Sequence, residues 1–487
     1  MTREFTRRQA LTLGALGVGA VAVGATGLVV GSRSSTPSTS NSSTSGSDAA
    51  WTEPPVLSSD NGVLELDLRL GATDVTIDGT TVRMMSYNGS VPGPTLHVRP
   101  GDSLRIHLHN GLDEPTNLHT HGLVVSAVGN SDNPFLRIGP GETFDYEIDL
   151  PDDHPAGVCW YHPHHHGMVA DQLFAGLYGA LVVDEGDWST APPRVVVVSD
   201  VTVVDGQVAG VSGVERMLGR TGQTLLTNGQ VTPALRAPAG GRERLLVVNA
   251  CSSRYLDLQL AGLDAQLRGQ DSVRLTQPRS TQRVVLTPGN RADLVITVPS
   301  SPVELTAAAY DRGQAGMGMM GGQSAVSPEA TVLSLVPDAE APASVVADAS
   351  STPRPDLRVA AVDATRTLTM TMGGMGGGGG MRFLIDGRAF DPNRVDQTVR
   401  VGTVEEWTIV NQSPMNHPFH LHIWPMQVVR EANSAVGIVD VRDVVDVPAR
   451  QSVTVRISFD RFPGNTLYHC HILDHEDLGM MGVIQAR

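Results

Sequence analysis

The stretch Asn88-Gly89-Ser90-Val91-Pro92-Gly93-Pro94-Thr95-Leu96-His97-Val98-Arg99-Pro100-Gly101-Asp102-Ser103-Leu104-Arg105-Ile106-His107-Leu108-His109-Asn110 decides the architecture. It reads as a turn, a short strand, a Gly turn and a second strand. In that second strand Leu104, Ile106 and Leu108 alternate with polar residues. Alternation with period two marks a strand that buries one face. The unit recurs from Asn228-Gly229 to Asn249, and again from Asp386-Gly387 to Asn411. Three ordered copies predict three domains of one architecture. Short strands between Gly/Pro turns, with scarcely any helical periodicity, predict β-sandwiches.

The 487-residue length agrees with this, since a domain takes ~150 residues and about three fit. Breaks fall near Asp184–Pro193 and in the Ala/Pro/Ser-rich stretch Pro337–Pro355. The expected domains are therefore 56–190, 191–340 and 356–487. With 35 basic and 51 acidic residues the net charge is −16, which argues against a basic nucleic-acid-binding face. Hydrophobic content of 40% and charged content of 18% fit a folded globular chain. Three cysteines exclude a disulfide scaffold.

The N-terminus reads as an address. Arg7-Arg8 precede a Gly/Ala/Val-rich run from Ala10 to Val30, which resembles a twin-arginine export signal over residues 1–31. The expected location is extracytoplasmic: periplasm, cell envelope or secreted. The run is also about long enough to span a bilayer, so an uncleaved signal is the one expected membrane attachment. Residues 32–55 begin Ser/Thr-rich and read as a flexible linker.

The sixteen histidines are unevenly placed. Ten lie between His97 and His166 and six between His417 and His475, with none between. Four motifs stand out: His119-Thr120-His121-Gly122; Trp160-Tyr161-His162-Pro163-His164; His417-Pro418-Phe419-His420-Leu421-His422; and Tyr468-His469-Cys470-His471, followed by His475 and Met480. In a strand, residues i and i+2 share a face. Each His-x-His thus offers two imidazoles side by side, and four pairs give eight nitrogen donors. Such a set suits copper best among the divalent ions. Cys470 then faces away from His469 and His471, toward His417, His475 and Met480. Two histidines, a thiolate and a weak thioether are the blue-copper set. Zinc is a poor rival, having no need of the methionine.

In this order, at the two chain ends, these motifs resemble those of three-domain multicopper oxidases, which include laccases and bacterial cuprous oxidases. The resemblance runs from Val56 to the C-terminus. It implies an all-β fold of three consecutive cupredoxin-like Greek-key β-sandwich domains. It implies four copper ions: a type 1 ion on His417, Cys470, His475 and Met480; a type 2 ion on His119 and His420; and a type 3 pair on His121, His162, His164, His422, His469 and His471. The implied reaction is one-electron oxidation of a substrate at type 1 copper, coupled to four-electron reduction of O2 to water. Expected reductants are Cu(I), in copper tolerance, or small phenols and aromatic amines in a laccase-like alternative. An alternative of another class is a non-catalytic copper-binding or scaffold protein. The chain is expected to act as a monomer.

Water formation consumes protons, so a carboxylate is expected beside the cluster. Glu476 is the first candidate and Asp132 the second. His97, His107, His109, His154, His165 and His166 read as ordinary histidines. Cys159 and Cys251 read as separate thiols. Met317, Met319, Met320, Met370, Met372, Met375 and Met381 fall in two Gly-rich patches that read as flexible, soft Cu(I)-collecting loops. The histidine-free middle domain reads as a spacer without metal.

Overall fold

In the computed structural model, residues 49–487 are described except 187, 189–191, 315–323, 342–345, 347–353, 376–380 and 433. The export signal, most of the linker, and Met317, Met319 and Met320 lie outside the described residues.

The three repeats fold alike. Each opens on a turn with two left-handed residues: Asn88-Gly89, Asn228-Gly229 and Asp386-Gly387. Each closes on an asparagine that ties its own sandwich together. Asn110 donates to the carbonyls of Ile138 and Gly139, Asn249 to Arg254 and Leu286, and Asn411 to Met415 and Val447. The repeat strands Ser103–Asn110, Arg242–Asn249 and Thr403–Asn411 each pair in parallel with the first long strand of their sandwich. In Ser103–Asn110, Leu104, Ile106 and Leu108 are fully buried, as the alternation requires.

Each sandwich packs two sheets around its own apolar core. In the first, a five-stranded sheet holds the adjacent strands Gly157–His162 and His119–His121. Leu68, Leu104, Ile106, Leu108, Tyr146 and Tyr161 fill its core. The second has a six- and a five-stranded sheet over Val196, Leu245, Val247, Leu258 and Leu294. The third pairs a seven-stranded sheet with a five-stranded one, in which Gly464–Cys470 lies beside His417–Leu421. Trp407, Phe419, Val455, Ile457 and Cys470 are in its core.

Two expectations are corrected. Residues 50–53 are seated structure and not free linker. Ala50 bridges Ala234, the Thr52 N–H donates to Gln230, and Trp51 packs against the second core. The second methionine patch is also not simply a loose loop. It continues the strand Ala364–Met375, where Met370 is fully buried, and Met372 and Met381 lie half-buried against the third core.

Candidate metal centre

Strand pairing brings the histidines together two by two. His119 stands opposite His162 in the first sandwich, and His420 opposite His469 in the third. The two sets then interleave. The ring of His119 stacks on His422 at 4.0 Å, and that of His121 on His420 at 3.9 Å. All eight are buried, so both outer sandwiches build a single cage.

Three donor groups converge inside it: His119, His121 and His420; His121, His162 and His471; and His164, His422 and His469. His469 Nε2 lies 3.1 Å from His164 Nε2 and 3.2 Å from His422 Nε2. His471 Nε2 lies 3.3 Å from His121 Nδ1. His119, His162 and His420 hydrogen-bond through Nδ1, to Asp132, the Pro163 carbonyl and the Asp443 carbonyl. Their buried Nε2 atoms have no partner. A buried imidazole nitrogen without a partner is costly, and a bound metal removes that cost.

A fourth group is built locally. Cys470 Sγ lies 3.4 Å from His417 Nδ1 and 3.9 Å from His475 Nδ1, and those two nitrogens are 3.3 Å apart. A short helix, Leu473–Asp477, carries His475. Its end is fastened by two backbone bonds, Met480 N–H to His475 O at 2.9 Å and Cys470 N–H to Met480 O at 3.0 Å. Met480 is fully buried there.

Electrostatics favour metal ligation at both places. Burial pushes His164 and His417 down to about 3. It also holds His121, His162, His420, His422, His471 and His475 well below the usual imidazole range. Neutral imidazoles are the ligand form. Burial raises the Cys470 thiol far above its usual value, so the thiolate needs a cation bound to it.

The acids fall into distinct places. Glu476 is fully buried, its carboxylate 3.0 Å from His469 Nδ1 and 3.4 Å from His164 Nε2. Asp132 accepts from His119 Nδ1 at 3.0 Å and from the Thr120 N–H at 2.9 Å, which fixes that ring. Asp443 was not anticipated. One carboxylate oxygen lies 3.1 Å from His121 Nε2, and its main-chain carbonyl accepts from His420 Nδ1 at 2.7 Å. A single residue thus orients two cage rings. Nothing in the sequence singled it out: in Val441-Arg442-Asp443-Val444-Val445-Asp446-Val447 it is one of two acids in a mixed charged and apolar stretch.

The spacer reading of the middle sandwich is corrected as well. Among the described residues it contributes no member of the four donor groups, but it braces the cage. Arg291, fully buried, holds Asp443 through two bonds of 2.6 Å and also donates to the Val158 carbonyl. Asp271 accepts from the Asp443 N–H; burial and Asp443 push it up to about 6. Gly289, at φ +83°, lies so close to His471 that an added Cβ would sit 2.8 Å from the ring.

The other histidines are structural or solvent-facing. His97 stacks on Trp188 at 4.1 Å, His107 and His109 meet surface acids, and His154 accepts from the Val124 N–H. His166 packs on Phe390, and His165 is in none of the donor groups. Cys159 and Cys251 are free, buried thiols in separate cores.

Three sandwiches with a thiolate site joined to a histidine cage define a class of copper proteins, and the comparisons agree. Two family models, both described as multicopper oxidase, match residues 69–187 and 359–487. The chain is 27% identical over 422 residues to the multicopper oxidase mco of Staphylococcus aureus, covering 84% of this chain and 85% of that one. It is 27% identical over 452 residues to the cell division protein FtsP of Photorhabdus laumondii, covering 88% and 90%. Among solved structures, a multicopper oxidase of Campylobacter jejuni, described as a metallo-oxidase, superposes with a TM-score of 0.78. It shares 28% identity, over 90% of this chain and 95% of that one.

The chain belongs to the multicopper oxidase family. It is an oxidoreductase of cupredoxin-like fold, with copper as its cofactor.

Proposed function

We propose that this chain is an exported oxidase that takes single electrons from Cu(I) and delivers them to O2. The carrying observation is the tripeptide His469-Cys470-His471. Its sulfur faces His417 and His475, while its two imidazoles face different donor groups of the cage. His417, Cys470, His475 and Met480 would hold the type 1 ion. His119 and His420 would hold the type 2 ion, and His121, His162, His164, His422, His469 and His471 the type 3 pair. Bound copper supplies one-electron oxidation of the reductant and four-electron reduction of O2 to water.

The chain's own residues supply the rest. Cys470 links the two sites through its own backbone, so the path between them is covalent and short. Asp132 and Asp443 fix the rings of His119, His121 and His420. Glu476, at two cage histidines and shielded from bulk water, is placed to hold and pass on the protons that reduction consumes. The domain limits in this reading are 56–190, 191–340 and 356–487, with residues 50–53 resting on the second sandwich and the short strands Val203–Val204 and Gln207–Val208 joining the six-stranded sheet of the first.

Cu(I) as reductant is supported by soft thioethers near the thiolate site. Met217, Met372 and Met381 pack on the core that contains Cys470 and Met480; the contact of Met217 with His475 Nε2, at 3.1 Å, is made by its main-chain carbonyl and not its sulfur. Export is supported by Arg7-Arg8 and the apolar run behind them.

The test is to load the purified protein with copper, record its visible spectrum, and follow O2 uptake with Cu(I) and with a phenol. Wild type is expected to show an intense thiolate-to-copper band and faster uptake with Cu(I). Cys470→Ser is expected to lose both while keeping cage copper. A wild type with neither band nor uptake overturns the oxidase reading and leaves the scaffold alternative. Uptake with phenol alone moves the substrate to the laccase-like class.

A further inference from the structure

Arg312 lies on the short strand Tyr310–Gln314, in a two-stranded ribbon with Ser324–Ser327 that belongs to the middle domain but to neither of its two main sheets. Its backbone reaches the thiolate site. The Asn416 N–H donates to the Arg312 carbonyl at 2.8 Å, and Gly313 bridges Met415, just before His417. The side chain is 1% exposed. Its Nη2 donates to the Gly219 carbonyl at 3.3 Å, whereas its Nε and Nη1 have no partner. No carboxylate forms an ion pair with it among the described residues.

Asp200 and Asp474, the acids whose charge reaches it, are bonded to other arginines. Asp200 accepts from Arg254 at 3.0 Å, and Asp474 from Arg220 at 2.6 Å. Asp446 accepts from Tyr255 Oη at 2.7 Å and from Asn416 Nδ2 at 3.1 Å. A guanidinium cannot shed its proton in a protein. Burial of a cation without a carboxylate partner is expensive, and the contact of the Arg312 guanidinium with the Tyr255 ring, 6.0 Å from the centroid, offsets only a small part of that cost. Geometry sets the guanidinium beside the thiolate site: Gly219, which takes its one bond, lies so close to both Arg312 and Ile472 that an added Cβ would sit 3.1 Å from Arg312 Nη1 and 2.6 Å from Ile472, two residues after Cys470, and the Met217 carbonyl, two residues before Gly219, lies 3.1 Å from His475 Nε2.

We infer that Arg312 is a tuning residue that raises the reduction potential of the type 1 site from the neighbouring domain. The inference rests on the copper reading of His417, Cys470, His475 and Met480. Two neutral imidazoles, one thiolate and a thioether carry a net charge of about +1 around Cu(II) and about 0 around Cu(I). A fixed cation opposes the first state more than the second, so it favours the reduced site. The acids nearby offset part of the absolute field. They do not alter the sign of the change when Arg312 is removed.

The consequence is functional. A higher potential makes the site a stronger electron acceptor from the reductant and a weaker donor to the cage. Arg312 would therefore set which reductants the enzyme can use without touching them. A nearby surface charge would be screened by salt within about 10 Å at 0.1 M, whereas a buried one is screened far less. The tuning is thus expected to be insensitive to ionic strength.

The experiment is a redox titration of the thiolate-to-copper band in the copper-loaded full chain, for wild type, Arg312→Met, Arg312→Gln and Arg312→Lys. Methionine and glutamine remove the charge, while lysine keeps it. Arg312→Met and Arg312→Gln are expected to lower the equilibrium constant for reduction about tenfold, a fall of about 59 mV for one electron. The band itself should persist, and Arg312→Lys should stay within about threefold of wild type. Potentials unchanged within twofold in Arg312→Met or Arg312→Gln overturn the inference. So does a fall in Arg312→Lys equal to theirs, which would make the effect one of packing. Should one neutral variant fail to load copper, the other carries the test; loss of copper from both overturns the inference in favour of a structural role. Absence of the band in wild type would instead defeat the copper reading.

Discussion

The cage and the thiolate site are built in opposite ways. The cage needs two sandwiches, each presenting strand-borne His-x-His pairs, and a third that braces it through Arg291 and Gly289. The thiolate site closes within one sandwich, through the loop and short helix between Cys470 and Met480 and the neighbouring strand of His417. One is a product of domain packing and the other of local chain geometry. Perturbations of the packing should therefore damage the cage first, and changes to the ligand loop should damage the thiolate site first.

Acid is the largest perturbation and the one expected to spare neither. Burial holds His164 and His417 at about 3 and His154 at about 4, against about 6.5 in an unfolded chain. Between those values the unfolded state binds more protons. The stability of the apoprotein should then be fully present above pH about 6.5 and fall as pH drops toward 3, by about 1.4 kcal/mol per unit for each such histidine. Thermal melting against pH in the presence of a chelator measures this; a flat profile from pH 7 to 4 would contradict the buried neutral imidazoles.

Glu476→Gln separates the sites by chemistry. It should lower kcat roughly 100- to 10,000-fold and leave the thiolate-to-copper band and the copper content intact. Retained turnover would remove Glu476 from proton supply.

Arg291→Met separates them by architecture. Leaving Asp443 buried without its cation should cost about 3–5 kcal/mol and weaken cage copper about 10- to 100-fold. The visible band should be spared. Metal analysis beside the spectrum decides it, and equal loss from both sites would end the contrast.

The smallest effect tests the packing itself. Arg461 and Asp153 form a bidentate pair between the outer sandwiches, at 2.7 and 2.9 Å, but both are partly solvent-exposed. Arg461→Ala should cost less than about 1 kcal/mol, leaving both sites loaded. A large drop in Tm would mean that surface pairing matters more than the buried braces.

The contrast also explains what could be read from the sequence. His-x-His and Cys470–Met480 are local patterns, and strand geometry turns them directly into donor sets. The three repeats were legible because a turn, an alternating strand and a closing asparagine recur in order. Asp443 and Arg291 were not legible, because the contacts that define them span 322 and 152 residues. Arg312 was hidden for the same reason. Met370 misled because a Gly/Met composition suggests a loop, whereas its position in the strand faces the core.

Gly289 gives the middle sandwich a stake in the chemistry. One wall of the cage there is bare main chain, held in place by a fold that is absent from the four donor groups. Any side chain at that turn would push His471 aside. An exchange of middle domains between relatives would therefore have to match this turn to within a methyl group. The part of the chain with least claim to a role in catalysis is also one of the hardest to replace.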